Sequence, residues 1–252
     1  MRIFRKTILT IAAAAMALAA ASCQKDDTLY YNNLTMGNIV DGRFVSDQGN
    51  TFNIIDQTCE GKLDTMDRVI TLCDVLKVTS GMEKEYDVRL RDYAPVLTKN
   101  AVKSEDAVSE EISVTDPIYI EQLWYSGGYI NMLVKYPVDI KNQTKHLVNL
   151  VYSKNEDGGY SFELRHNAFG EVREETESTM FLAGGFVSFP IARLIGKDNA
   201  KLVFKWKWYK AAGYGWTTEI KDNSFEYDWK REGFEQVPQN MSLGFKVPSK
   251  AE

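Results

Sequence analysis

The alternation from Lys201 to Tyr209 sets the tightest limit on how this chain can fold. Leu202, Phe204, Trp206 and Trp208 fall on one parity, while Lys201, Lys205 and Lys207 share the other with Val203. Side chains of a strand point alternately to opposite faces, so this stretch reads as a strand with one apolar and one wet side. A helix would scatter both sets around its circumference. The period of two recurs where Tyr86, Val88 and Leu90 alternate with Asp87, Arg89 and Arg91, and no long 3.6-residue period survives beyond residue 27. The chain is expected to be all-β.

Turn signals divide what remains. Asp41-Gly42 separates Ile39-Val40 from Phe44-Val45, and the cluster Asp47 to Asn50 precedes Thr51 to Ile55. Residues 61–67 read as a loop that folds the chain into a hairpin. Arg68 to Val78 is a long strand with apolar side chains on both faces, as in a closed barrel or a twice-buried strand. Gly127-Gly128 and Asn155 to Gly159 read as turns between strands at Tyr129–Tyr136, His146–Tyr152 and Tyr160–Arg165. Phe186–Phe189 is strand-like, with one helical turn expected over Pro190–Leu194. Pro95 and Pro137 are expected to stop or bend their strands. Residues 100–111 are polar, acidic and weakly patterned, which suits a linker between domains at 36–99 and 112–250.

The first 27 residues follow a different logic. Arg2, Arg5 and Lys6 precede the apolar run Ile8 to Ala21, which ends in small residues, the layout of a secretory signal. The run is shorter than the roughly twenty apolar residues of a membrane span. Cys23 after Ala20-Ala21-Ser22 looks like a lipobox, which implies a signal peptide over 1–22 and a lipid-bearing Cys23 at the head of a tether, 23–35. Lys25, Asp26 and Asp27 are similar to a signal that sends some Gram-negative lipoproteins to the outer face of the outer membrane. Surface exposure is preferred, with a periplasm-facing anchor as the alternative. Without residues 1–22 the chain carries 27 basic and 35 acidic residues, a net charge of about −8 at neutral pH. That sign disfavours nucleic acid, whose phosphates reward a basic surface.

Cys59 and Cys73 remain once Cys23 is lipidated. An even pair in an exported chain invites a disulfide. A hairpin through 61–67 would instead place Cys73 several residues past the position facing Cys59, beyond the about 7 Å that a bridge tolerates. Two inert thiols are the preferred reading, and a bridge the alternative. His146 and His166, the two histidines, lie in no ligand-spaced pattern and read as structural residues making local hydrogen bonds. Glu171, Glu174, Glu175 and Glu177 read as a solvated acidic loop without the ordering of a calcium site. No nucleophile elbow or phosphate loop occurs, so neither a catalytic residue, a metal nor a cofactor is assigned and no enzyme is expected. Tyr214 and Trp216, on a glycine-flanked turn, are candidate ligand contacts, because rigid rings stack on sugars or anchor protein contacts. Asp-Thr-Leu at 27–29 and Asp-Thr-Met at 64–66 look like acceptors for bacterial O-glycosylation at Thr28 and Thr65.

Several stretches together resemble the NigD-like lipoprotein family. In the first half these are Gly37 to Val40, Asp67 to Leu76 and Tyr86 to Leu90. In the second half they are Trp124 to Asn131, His146 to Tyr152, Leu164 to Ala168 and Val187 to Pro190. The resemblance implies an N-terminal OB-like barrel and a C-terminal β-sandwich, and the strand count in each half agrees. It also implies a non-enzymatic envelope binding protein, with immunity to a secreted bacteriocin as the specific version. The partner would then be a protein toxin. A surface glycan-binding accessory protein is the alternative, and fold alone warrants neither.

Overall fold

The computed structural model describes residues 34–79, 84–139, 144–172, 180–196, 199–212 and 215–227, with 238 and 243. It is almost entirely β. The first half contributes β1 (Leu34–Val40), β2 (Arg43–Ser46), β3 (Thr51–Gln57), β4 (Arg68–Val78) and β5 (Glu85–Thr98). β1 pairs with β2 and β4, β2 with β3, and β4 with β5, all antiparallel; a parallel β3–β5 ladder then closes these five strands into a barrel-like ring. Closure removes the free edges that an open sheet exposes. The ring is filled by Phe44, Phe52, Leu63, Val69, Cys73, Val75, Val88 and Leu90.

The second half follows with β6 (Val102–Lys103), helical turn α1 (Glu110–Ser113), β7 (Tyr119–Ser126), β8 (Tyr129–Asp139), β9 (Leu147–Lys154), β10 (Tyr160–Asn167), β11 (Met180–Pro190), helical turn α2 (Ala192–Ile195), β12 (Ala200–Ala212) and β13 (Gly215–Tyr227). One sheet runs β13-β12-β10-β9-β6. The other, β11-β8-β7, is continuous with the barrel, because β11 pairs in parallel with the end of β5. The two sheets enclose a core to which β8 gives Ile130, Met132, Val134, Tyr136 and Val138, and the opposite sheet gives Val148, Leu150, Phe162, Leu164, Leu202 and Phe204. This is the sandwich. Among the described residues no helix is long and apolar enough to cross a membrane.

β4 and β8 lack a wet face for one physical reason. Successive side chains of a strand leave on opposite sides. Val69, Cys73 and Val75 of β4 fill the barrel, while Ile70 packs outward on a third core with Met36, Trp124, Leu133 and Phe186. That core cements barrel to sandwich, so both strands are covered twice. β12 behaves as its alternation predicts: Leu202 and Phe204 are buried, Trp206 packs against the core, and Lys201 and Lys205 are exposed.

Four expectations are corrected. β3 and β4 are not hairpin partners, since each pairs with β5 instead. Pro95 lies inside β5, at the point where the strand leaves β4 (Val69↔Pro95) and takes up β11 (Phe186↔Val96), so the missing N–H coincides with a change of partner. Pro137 lies inside β8, opposite Leu182; the β7 ladder has ended by Lys135, and a proline is tolerated where one side of a strand is unpaired. Residues 100–111 are more than a linker, because β6 joins the edge of the five-stranded sheet, Ala107 is buried, and Ser109 caps α1.

Phe186 sits fully buried in the core between the two halves. Phe186→Ala is expected to destabilise the protein by about 3–5 kcal/mol, as large-to-small core changes do. Urea unfolding should show one transition at a lower midpoint, and separate transitions for the two halves would contradict this account.

Candidate functional site

The described residues hold two buried clusters of ionisable groups. Arg68 opens β4 on the outward face of the barrel, aimed at the sandwich. Its guanidinium grips Asp47 in a two-pronged ion pair (2.7 and 2.8 Å), donates through Nε to Ser188 Oγ (3.1 Å), and reaches Asn131 (3.0 Å) and Asn38 (3.2 Å). The ring of Tyr129 lies 3.9 Å from its carbon centre. Ser126 donates to Asp47 and accepts from Asn131, and Ser188 donates to the Asn131 oxygen (2.6 Å). Asp47, Asn38 and Arg68 belong to the barrel; Ser126, Tyr129, Asn131 and Ser188 belong to the sandwich. The β7–β8 turn fits only as glycine, since Gly127 has φ of 58° and an added Cβ would strike the Asp47 carboxylate.

The second cluster is a chain of side chains within the sandwich. His166 Nδ1 lies 3.1 Å from the Pro117 carbonyl, His166 Nε2 lies 2.8 Å from His146 Nδ1, and His146 Nε2 lies 3.2 Å from Glu171 Oε2. Tyr136 stacks on His146 with ring centres 4.5 Å apart. The backbone N–H groups of Asp139 and Thr144 donate to the Glu171 carboxylate. Burial, with His146 alongside, pushes the His166 ring down to about 3. Burial also lowers His146, against the pull of Glu171. It would raise the Glu171 carboxyl, but the donors on Thr144, His146 and Asp139 outweigh it and hold the group below its ordinary value. Glu171 is thus a buried partner of histidine rather than part of a solvated acidic loop, and Glu174, Glu175 and Glu177 lie outside the described residues.

Local hydrogen bonding of both histidines agrees with the sequence reading; their bond to each other was not legible, because twenty residues separate them. Nor was the Arg68 cluster. Its one visible signal is an arginine opening an otherwise apolar strand. Among the described residues no group of three or more His, Cys, Asp or Glu side chains could hold a metal ion.

Cys59 and Cys73 are free thiols, not a bridge. Because β3 and β4 flank β5, both converge on Leu90: it is the strand partner of Cys73, and its carbonyl lies 4.0 Å from Cys59 Sγ. Burial pushes the Cys73 thiol up to about 11 and also raises Cys59, which makes both poor nucleophiles. Thr65 is exposed on a turn. Trp216 lies within β13, with Ala211 as its strand partner, rather than on a loop. Cys23, Lys25, Asp26, Asp27, Thr28 and Tyr214 lie outside the described residues.

Residues 100–221 match the model of the NigD-like C-terminal beta sandwich domain. A protein of unknown function, DUF1344, from Bacteroides vulgatus is 20% identical in its crystal structure, with a TM-score of 0.57 over 84% of this chain and 97% of that one. A NigD-like immunity protein from Bacteroides caccae is 16% identical, with a TM-score of 0.52 over 82% of this chain and 96% of that one. At these identities the likeness concerns the fold. No curated protein matches the chain.

Two outcomes are expected. Arg68→Ala strands Asp47 in the interior and should cost about 3–5 kcal/mol in denaturant unfolding, whereas adding Asp47→Ala should return part of that loss. An undiminished loss in the double variant would mean that the ion pair is not the cause. His166 stays neutral when folded down to about 3 but takes a proton near 6.5 when unfolded, so unfolding binds a proton between those values. Stability should be level above about 6.5 and fall as pH drops towards 3, and His166→Gln should flatten that slope.

Proposed function

We propose, for a chain that belongs to the NigD-like family through residues 100–221, a non-enzymatic role as a lipid-anchored binding protein of the cell envelope. Its specific task is protection of the producing cell from a secreted bacteriocin. Cys23 carries the lipid, and Lys25, Asp26 and Asp27 direct the body to the outer surface of the outer membrane. The observation that carries the reading is how the buried ionisable groups are used. Arg68 with Asp47, and His146 with His166 and Glu171, are aimed at one another and at neighbouring backbone. Acid–base or nucleophilic chemistry would need such groups to face a substrate. Recognition by an exposed surface needs only a rigid body held in place. The immunity protein among the solved relatives supports the choice of toxin over other partners.

Anchored immunity acts by capturing the toxin outside the cell or by masking its receptor. The test is survival of a sensitive strain, with and without this gene, in culture fluid from related producers. Protection is expected with the native chain and should be lost, together with palmitate labelling, in Cys23→Ala. No protection from any producer would overturn the immunity role, and equal protection by Cys23→Ala would overturn the anchor.

A further inference from the structure

The chain from Pro117 to Glu171 ends on an acceptor at both ends. A carbonyl oxygen stands at one end and a carboxylate at the other, with two imidazoles between them. Each of its three links needs a proton. A neutral imidazole carries one N–H and one bare nitrogen. Two neutral rings therefore bring two protons to three links. His166 must donate through Nδ1 to the Pro117 carbonyl, which leaves its Nε2 bare and requires the N–H of His146 Nδ1. His146 Nε2 then has nothing to offer Glu171. If His146 turns its proton towards Glu171 instead, the bond between the rings is lost.

We infer that the His146–His166–Glu171 chain is a proton-operated latch, in which one link stays open while both rings are neutral and all three close when a single further proton enters. That proton completes His146 as an imidazolium between His166 and the Glu171 carboxylate, so the closed chain carries no net charge, the imidazolium offsetting the carboxylate. It ties the segment leading into β9, through His146, to the segment after β10, through Glu171, beneath the ring of Tyr136. Among the described residues the ionisable side chains around the rings are Glu171, Asp116 from the segment before β7, and Tyr136 from β8. Asp116 accepts from the Ala168 N–H, and burial keeps Tyr136 a neutral phenol. Asp139 contributes its backbone N–H. Because burial lowers His146 and Glu171 stays ionised, the latch closes on the acid side of neutrality, while His166 remains neutral.

Glutamine at 171 removes the carboxylate charge against which the added proton is held, so the His146 imidazolium then has no anion beside it. The experiment is nitrogen-detected NMR of the whole folded protein with labelled histidine, wild type and Glu171→Gln, titrated from about pH 8 to about pH 5. The expected wild-type result is one added ring proton, on His146, with His166 unchanged and with both His146 ring nitrogens carrying hydrogen at the acid end. Glu171→Gln should show no such uptake and the same ring-proton count at both ends of the range. A constant ring-proton count in the wild type, or equal uptake in Glu171→Gln, would overturn the latch. The wild-type titration decides the matter even if the variant does not fold.

Discussion

The junction of the two halves depends on the burial of one cation. A guanidinium leaves water at a cost of several kcal/mol, which is offset only when its donors and its charge are matched in the interior. Arg68 meets that condition by drawing partners from both halves: a carboxylate and an amide from the barrel, and a hydroxyl, an amide and an aromatic face from the sandwich. The apolar core beside it, around Ile70, Leu133 and Phe186, supplies most of the attraction but little direction, because apolar contact tolerates sliding. The directional bonds of Arg68 fix the register in which barrel and sandwich meet.

How much of this was legible follows from how far apart the cooperating residues lie in sequence. The period of two in β12, the doubly apolar β4 and the Gly127-Gly128 and Asn155–Gly159 turns are local signals, and the structure keeps them. The prolines misled because a strand can change partner or lose one neighbour, as β5 and β8 do, without ending. The parallel β3–β5 ladder that closes the barrel has no local signature, and so the approach of Cys59 and Cys73 to Leu90 was hidden. The polar clusters were hidden more deeply. Arg68 to Ser188 spans 120 positions, and only the fold makes them neighbours. Among the candidate recognition residues, Trp216 keeps its place beside a turn but within a strand.

The two polar clusters differ in how fully they are satisfied. Around Arg68 each hydroxyl and amide can be given a consistent direction of donation, so the network has one arrangement. In the histidine chain the direction is imposed from both ends and the two demands meet at His146. A buried network with one proton too few has two arrangements, one for each link left open, whereas a complete one has one. The first cluster therefore serves as a fixed joint and the second as a point of adjustment inside the sandwich.

The divided pairing of β5 has a consequence for how this architecture can be taken apart. β5 gives its first part to the barrel and Val96–Thr98 to β11, so no cut near residue 99 leaves two finished surfaces. A sandwich excised from that point would present the Phe186–Ser188 edge with its backbone groups unpaired, next to the apolar face that Ile70 and Met36 cover in the intact chain. An open, flat, apolar edge recruits strands from other molecules. In this protein the barrel covers both the edge and the apolar face that an excised sandwich would present.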